Sequence, residues 1–221
     1  MKVALLGAGK TGGKVADLHS DTIIFNSKNI PTLDKLEKCD IVISFLAGDI
    51  FKIYIPMLIE SKIPVVTGST GFEWNDDDIE KIKKNNLKWV KANNFSLGMN
   101  IVKNLIEVLG KSKNLYPDAN FFIHDIHHTQ KKDAPSGTAL SWRDWLGSEA
   151  SITSERTGDV IGYHHMEMIS EFEKIKITHE ATDRSIFASG ALWAAHKLMD
   201  DKSITSGLHH FSDIVNKHLN I

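Results

Sequence analysis

His127 and His128 stand side by side, Lys131 follows three residues after His128, and Ser136-Gly137-Thr138 comes directly after Pro135. An imidazole titrates near neutrality and can hold and release a proton there. The first turn of a helix presents open N–H groups, and with the Ser136 and Thr138 hydroxyls they make a cradle for an anion, Pro135 being suited to that first turn. A proton donor beside a seat for a small anionic substrate is the expectation. A His-His pair alone reads equally well as a solvated strand end, and it is the nearby lysine and hydroxyl turn that favour chemistry.

A second set of residues points to a nucleotide. Val3 to Leu6 is a short apolar run that ends in Gly7-Ala8-Gly9-Lys10-Thr11-Gly12. GxGxxG after a strand and at a helix start allows a tight turn, close approach of a pyrophosphate and anion binding at the helix terminus. After the next strand, Thr22 to Phe25, the residues are Asn26-Ser27-Lys28 with no carboxylate for an adenosine ribose. Polar groups and a lysine suit an extra phosphate, so NADPH is slightly favoured over NADH.

The elements that must hold these residues alternate between strand and helix through the first half of the chain. Asp40 to Leu46 reads as a strand buried on both faces, as in a parallel sheet, and Ile63 to Thr67 as the next strand. Leu33 to Lys38 reads as a helix, and Asn75 with Asp76, Asp77 and Asp78 as the start of another, its acidic run complementing the helix dipole and needing no metal. Trp89 to Ala92 is a further strand, Ile101 to Leu109 an amphipathic helix, and Asn120 to Ile126 the strand that delivers His127. Near-alternating segments, including Lys174 to Glu180, suggest a sheet with one wet face. Ala191 to Met199 reads as a helix returning to the first domain.

The run Asp125 to Thr138 resembles the signature E-x-H-H-x-x-K-x-D-A-P-S-G-T of the 4-hydroxy-tetrahydrodipicolinate (dihydrodipicolinate) reductase family, with Asp125 in the acidic position. Gly68-Ser69-Thr70-Gly71 is similar to that family's loop beside the nicotinamide, and Asn93-Asn94-Phe95-Ser96 to its Asn-Phe-Ser segment; the resemblance covers nearly the whole chain. It departs at Lys10, which replaces a glycine, at Thr11, which stands where an arginine is usual, and at the Ala47-Gly48 loop.

The resemblance implies an α/β fold: a Rossmann-type dinucleotide-binding domain, here residues 1–96 plus 188–221, and a second α+β domain on a mixed or antiparallel sheet, residues 97–187. It implies reduction of a cyclic dicarboxylate, 4-hydroxy-2,3,4,5-tetrahydrodipicolinate, with loss of water and hydride delivery to ring C4, in the diaminopimelate route to lysine. His127 would be the general acid and Lys131 would stabilise developing charge. His128, Ser136, Gly137, Thr138 and Arg184 would hold the substrate. Gly7, Ala8, Gly9, Lys10, Thr11, Gly12, Asn26, Lys28, Gly68, Ser69, Thr70, Asn93, Asn94 and Phe95 would line the cofactor. The family's sheet also implies a homotetramer. Arg156, Gly158, Gly162 and His164 match a further family motif; for His164 a structural or interface role is expected, as for His124, His165 and His179. Two alternatives stay open: another two-domain NAD(P)-dependent enzyme such as an aspartate dehydrogenase, and a nucleotide-sensing relative without turnover.

Bulk composition fits this reading. The 221 residues are enough for one large domain or two modest ones, and a net charge of −2 without a basic tract offers nothing to nucleic acid or an anionic membrane. The single Cys39 excludes an internal disulfide framework and a multi-cysteine metal site. The opening MKVALLG is too short and glycine-rich for a signal peptide, and no stretch approaches the roughly 20 apolar residues of a membrane span. A soluble cytoplasmic protein without a metal site is expected.

Overall fold

Short apolar runs form the spine of the amino-terminal half. Val3–Leu6 (β1) and Ile41–Ser44 (β3) are buried at every position, because helices cover both faces of their sheet. The computed structural model describes residues 1–221, and the chain divides into two compact units, Met1–Leu97 with Arg184–Ile221, and Gly98–Asp183.

The first unit continues from β1 through helix α1 (Gly12–Leu18), β2 (Thr22–Phe25), α2 (Leu33–Leu36), β3, α3 (Gly48–Glu60), β4 (Val65–Thr67), α4 (Asp76–Lys84) and β5 (Lys88–Lys91). After the second unit it resumes with α7 (Ser185–Asp200), β10 (Gly207–His210) and α8 (Phe211–Leu219). Its six strands lie in the order β10-β5-β4-β3-β1-β2, every pair parallel. The chain runs outward from β1 to β2 and then returns to β3 on the other side of β1. Such a reversal leaves a crevice at the strands' carboxyl ends, where doubly wound sheets bind ligands.

Alternate residues of each strand feed two cores. Val3, Leu5, Ile41, Ile43, Val66 and Val90 pack with Val15, Ala188, Ala191, Ala195 and Phe211 of α1, α7 and α8. Ala4, Leu6, Val42, Val65 and Trp89 pack on the opposite side with Leu36, Phe51, Ile55, Leu58 and Ile82. Asn75 caps α4 as expected, its side-chain oxygen accepting from the Asp78 N–H at 2.7 Å.

The second unit contains α5 (Leu97–Lys111), whose first residue closes the preceding unit, then a 3-10 turn, β6 (Asn120–His127), α6 (Gly137–Leu146), β7 (Ser151–Arg156), β8 (Tyr163–Ile169) and β9 (Lys174–Glu180). The sheet order is β7-β6-β8-β9; β7 is parallel to β6 and the other pairs are antiparallel. Val102, Ile106 and Leu109 of α5 and Ala139, Trp142 and Leu146 of α6 cover one face through Phe121, Ile123, Met166 and Met168. Within the unit the other face is open, carrying a shallow groove of about 320 Å³ among Phe122, His124, Ser151, Thr153, His165 and Glu167. No helix is long and apolar enough to cross a membrane.

Some boundaries differ from those read in the sequence. The units divide at 97/98 and 183/184, since α7 begins at Ser185 and packs from Ala188 to Leu198 in the first unit's core. The α2 helix stops at Leu36, and Pro135 lies outside α6, whose cap is Ser136. Neither β7 nor the β10–α8 pair was anticipated: SITSER and GLHH are short edge strands of mixed polarity, with little periodicity to mark them.

Candidate active site

The nucleotide loops gather at the carboxyl end of the first sheet. The Gly7 N–H donates to the Phe25 carbonyl at 3.2 Å, and the Phe45 N–H donates to Leu6 at 2.9 Å, so the loops after β1, β2 and β3 begin side by side at the reversal point. Gly7 has φ +89°, and a Cβ on Gly12 would lie 1.8 Å from the Gly7 carbonyl oxygen. Both positions therefore demand glycine, and Gly9 opens onto free space. Loop and helix start are tightly closed on one side and bare on the other, which fits a pyrophosphate. Ala8, Lys10 and Thr11 complete this loop, with Lys10 exposed and Thr11 the residue preceding α1.

After β2, the Asn26 side-chain oxygen accepts from the N–H groups of Lys28 and Asn29 at 2.8 and 3.1 Å, closing the turn on itself. Asn26 is thus a turn former, while Lys28 is exposed beside it. After β4, a Cβ on Gly68 would strike the Phe45 ring at 2.5 Å, and Ser69 pairs with Ser44 at 3.1 Å. Thr70 stays exposed. After β5, Asn93 is exposed and the Asn94 side chain accepts from the Ser96 N–H at 2.8 Å.

The Phe95 ring is only 1% exposed and packs against Phe45 and Phe211 at centroid distances of 6.1 and 4.8 Å, so the ring is a core group. Arg184 is relocated. It precedes α7 at the start of the first unit's second stretch, outside the unit that carries the histidines.

In the second unit, sheet register assembles the histidine site from distant segments. On the helix-covered face, Ser154, Asp125, His164 and His179 lie in one row across β7, β6, β8 and β9. Arg156 pairs with His127 in the adjacent row. A Cβ on Gly162 would lie 3.3 Å from His127 Nε2, so this glycine leaves that edge of the ring uncovered.

Asp125 is fully buried and ionised. Its Oδ2 accepts from His127 Nδ1 and Arg156 Nη1, both at 2.9 Å, and its Oδ1 accepts from Ser154 Oγ at 2.6 Å and the Ser136 N–H at 3.3 Å. Burial pushes its pKa up, but these four donors together hold it below the ordinary carboxylate value. Burial likewise lowers the His127 pKa, and the Asp125 hydrogen bond and charge oppose that shift without cancelling it. The unperturbed value assumed from sequence is therefore too high.

His164 lies edge-on to His127, with centroids 5.0 Å apart, and burial followed by the His127 charge holds its pKa down to about 4. Its Nε2 is 3.3 Å from Ser136 Oγ, which already accepts from the Ala139 N–H at 3.2 Å as the cap of α6. With the His164 proton on Nε2, both Ser136 lone pairs are filled, which leaves its hydroxyl proton free to donate. The buried Nδ1 of His164, which lacks a partner, is then a lone pair and not a stranded donor. His179 is lowered by burial too.

Lys131 donates to both Asp133 oxygens at 2.8 Å, a pair that holds Asp133 below its ordinary pKa and parks the ammonium beside the turn. His128 sits just beyond β6, half-buried, its carbonyl accepting from the Lys131 N–H at 3.1 Å. Gly137 and Thr138 form the first helical residues after Ser136.

A family description, dihydrodipicolinate reductase, matches in two parts, its amino-terminal half over residues 1–95 and its carboxyl-terminal half over residues 98–215. The chain belongs to the dihydrodipicolinate reductase family. A 4-hydroxy-tetrahydrodipicolinate reductase of Alkaliphilus metalliredigens is 30% identical over 97% of this chain and 99% of its own. That of Thermosipho africanus is 31% identical over 97% and 98%. Among solved structures, the dipicolinate-bound dihydrodipicolinate reductase of Paenisporosarcina sp. TG-14 shares the fold, with a TM-score of 0.76, 19% identity and coverage of 97% of this chain and 99% of that one. As a member of the dihydrodipicolinate reductase family, the protein is an NAD(P)H-dependent oxidoreductase.

Sequence reasoning passed over Ser154 and Arg156 as ligands of Asp125 and gave Asp125 itself no task. Their signal lay only in the pairing of β7 with β6, which no local pattern displays.

Proposed function

We propose that this dihydrodipicolinate reductase family member reduces 4-hydroxy-2,3,4,5-tetrahydrodipicolinate to 2,3,4,5-tetrahydrodipicolinate in lysine biosynthesis, with loss of water. The observation that carries the reading is the meeting of His127, its carboxylate partner and the Ser136 turn in one corner of one sheet. When bound, the reduced nicotinamide supplies a hydride, which side chains cannot. Gly7, Gly9, Gly12 and the exposed Lys10 are assigned to its phosphates, and Thr70 and the Gly68-Ser69 backbone to the ring end.

The remaining work falls to the second unit. The Ser136 hydroxyl and the N–H groups opening α6, with His128, hold one substrate carboxylate. Lys131 exchanges Asp133 for the incoming anion, an exposed exchange that costs little. His127 gives its Nε2 proton to the carbon that gains electron density as the conjugated imine is reduced. A dianionic substrate against the ring favours the imidazolium and so reverses the lowering caused by burial. Hydride plus this proton account for the two hydrogens added after water leaves.

NADPH is the favoured cofactor, on the ground that Asn26-Ser27-Lys28 offers no carboxylate to a ribose and one exposed cation to a phosphate. A homotetramer formed over the open face of the second sheet is proposed as well, because that face leaves Phe122 43% exposed. The buried thiol of Cys39 suits a cytoplasmic location.

The initial rate of NADPH and NADH oxidation with freshly generated 4-hydroxy-tetrahydrodipicolinate tests the proposal. Saturable turnover, with the larger kcat/KM for NADPH, is the expected result. Folded protein that binds nucleotide but oxidises neither form with this substrate would set the proposal aside.

A further inference from the structure

We propose that Asp125 is the positioning residue of this site, a single buried carboxylate that fixes the ring of His127 with Nε2 turned outward and holds the Ser136 turn in register with it. The proposal rests on the reading of His127 as proton donor and assigns a task to the carboxylate that reading leaves without one.

A carboxylate offers about four lone-pair positions. Asp125 uses them on four donors from three parts of the chain: His127 on its own strand, Ser154 and Arg156 on β7, and the Ser136 N–H at the head of α6. The 0% exposure of Asp125 means that no solvent shares them. Because the His127 bond is made by Nδ1, the neutral ring must carry its proton there, leaving Nε2 as the nitrogen that takes up and gives away the mobile proton. Gly162 has no side chain to cover that nitrogen.

A purely structural role for Asp125, as the counter-ion of Arg156, explains less. Arg156 also donates to the carbonyls of Glu155 and Asp133. Buried ion pairs are also weak sources of stability compared with apolar replacements. What the carboxylate uniquely supplies is a common reference for two groups that must meet one substrate, the acid and the anion turn. Small errors in such placement are expensive in rate.

The charged and titratable groups around His127 are consistent with this assignment. They are Asp125 on β6, Arg156 on β7, His164 on β8, with His179 beyond it on β9, and Lys131 in the loop that follows β6. Asp125 is the only one of them that favours the imidazolium. The others are cationic or, like His164, neutral at ordinary pH.

Two experiments decide the matter. Nitrogen-15 histidine spectra of the wild-type protein, with the His127 signals assigned by their loss in His127→Gln, are expected to show the neutral ring protonated on Nδ1. Protonation on Nε2 would overturn the proposal, and no variant of Asp125 has to fold for that result. In steady state, Asp125→Asn is expected to lower kcat on the order of tenfold or more at pH 7.5 and to move the alkaline limb of the kcat profile to lower pH. NADPH affinity should be unchanged, and Asp125→Glu should restore the limb. A folded Asp125→Asn enzyme with the wild-type limb would count against positioning. Wild-type turnover by His127→Gln would instead remove the underlying assignment of the acid, while the tautomer measurement would still report whether Asp125 sets the ring.

Discussion

The nucleotide loops of the first unit are shaped by what glycine lacks, whereas the histidine site of the second unit is shaped by where sheet register puts charged side chains. Gly7 and Gly12 meet each other's backbone so closely that a single Cβ would collide with a carbonyl. That closure depends on no ionised group. In the second unit, a buried aspartate, three imidazoles and an arginine lie in two adjacent rows of one sheet, and burial together with neighbouring charge shifts the Asp125, His127 and His164 protonation. Shape and charge thus occupy different halves of the molecule. Substitutions and pH should therefore act on them separately.

The sharpest way to break this comparison is to remove the proton donor. His127→Gln, and separately Lys131→Ala, should reduce kcat by about 10²- to 10⁴-fold, while the dissociation constants for NADPH and NADH, measured by fluorescence titration, stay as in the wild type. A comparable loss of nucleotide affinity in either variant would show that the two halves do not act independently.

A second test uses pH on stability. The folded pKa of His164 is about 4, below the ordinary value of 6.5. Between these values the unfolded chain takes up a proton that the folded chain refuses. Stability from this source is complete above pH 6.5 and is lost as the pH falls toward 4, by about 3 kcal/mol. His127 and His179, also lowered by burial, add in the same direction. Asp125 contributes in a separate and lower window, its stabilisation being present above pH 3.8 and lost as the pH falls through its depressed folded value. Urea denaturation at pH 7.5 and pH 4.5 should give a clear fall in unfolding free energy. In His164→Phe, which keeps an aromatic ring against Trp142, most of the fall should vanish. An equal fall in that variant would place the acid sensitivity elsewhere.

How far the sequence could be read follows the same division. GxGxxG announced its loop because a glycine requirement is local, visible in six consecutive positions and independent of what packs nearby. The His127 to Thr138 run was legible for the same reason, since strand, turn and capped helix follow one another without interruption. Asp125 was visible but mute: its donors Ser154 and Arg156 come from a polar edge strand, and their meaning depends on β7 pairing in parallel with β6. Phe95 shows the opposite case: the family resemblance of its segment pointed to a ligand, and only the packing of Phe45 and Phe211 around it reveals that its ring belongs to the core.

Gly12→Ala probes the first unit alone. The added methyl would lie 1.8 Å from the Gly7 oxygen, so the loop must shift. A destabilisation of about 1–3 kcal/mol is expected, with weaker binding of both nucleotides and an unaltered pH dependence of stability between 7.5 and 4.5. Nucleotide affinity equal to that of the wild type would mean that the loop's closure serves packing and not phosphate.

The smallest effect provides the control on which the others depend. Asn75 caps α4 with its side chain on the Asp78 N–H, on a helix whose only buried side chain is Ile82. Asn75→Ala should lower the unfolding free energy by about 1 kcal/mol and leave kcat, both nucleotide affinities and the acid dependence of stability unchanged. A helix end on the surface of the first unit offers neither a glycine contact of the nucleotide loop nor a charge of the histidine rows. If so slight a loss of stability nevertheless reduced turnover, the losses in Asp125→Asn and Gly12→Ala could no longer be assigned to geometry at their own sites, and the separation of shape from charge would have to be drawn from the tautomer and pH measurements alone.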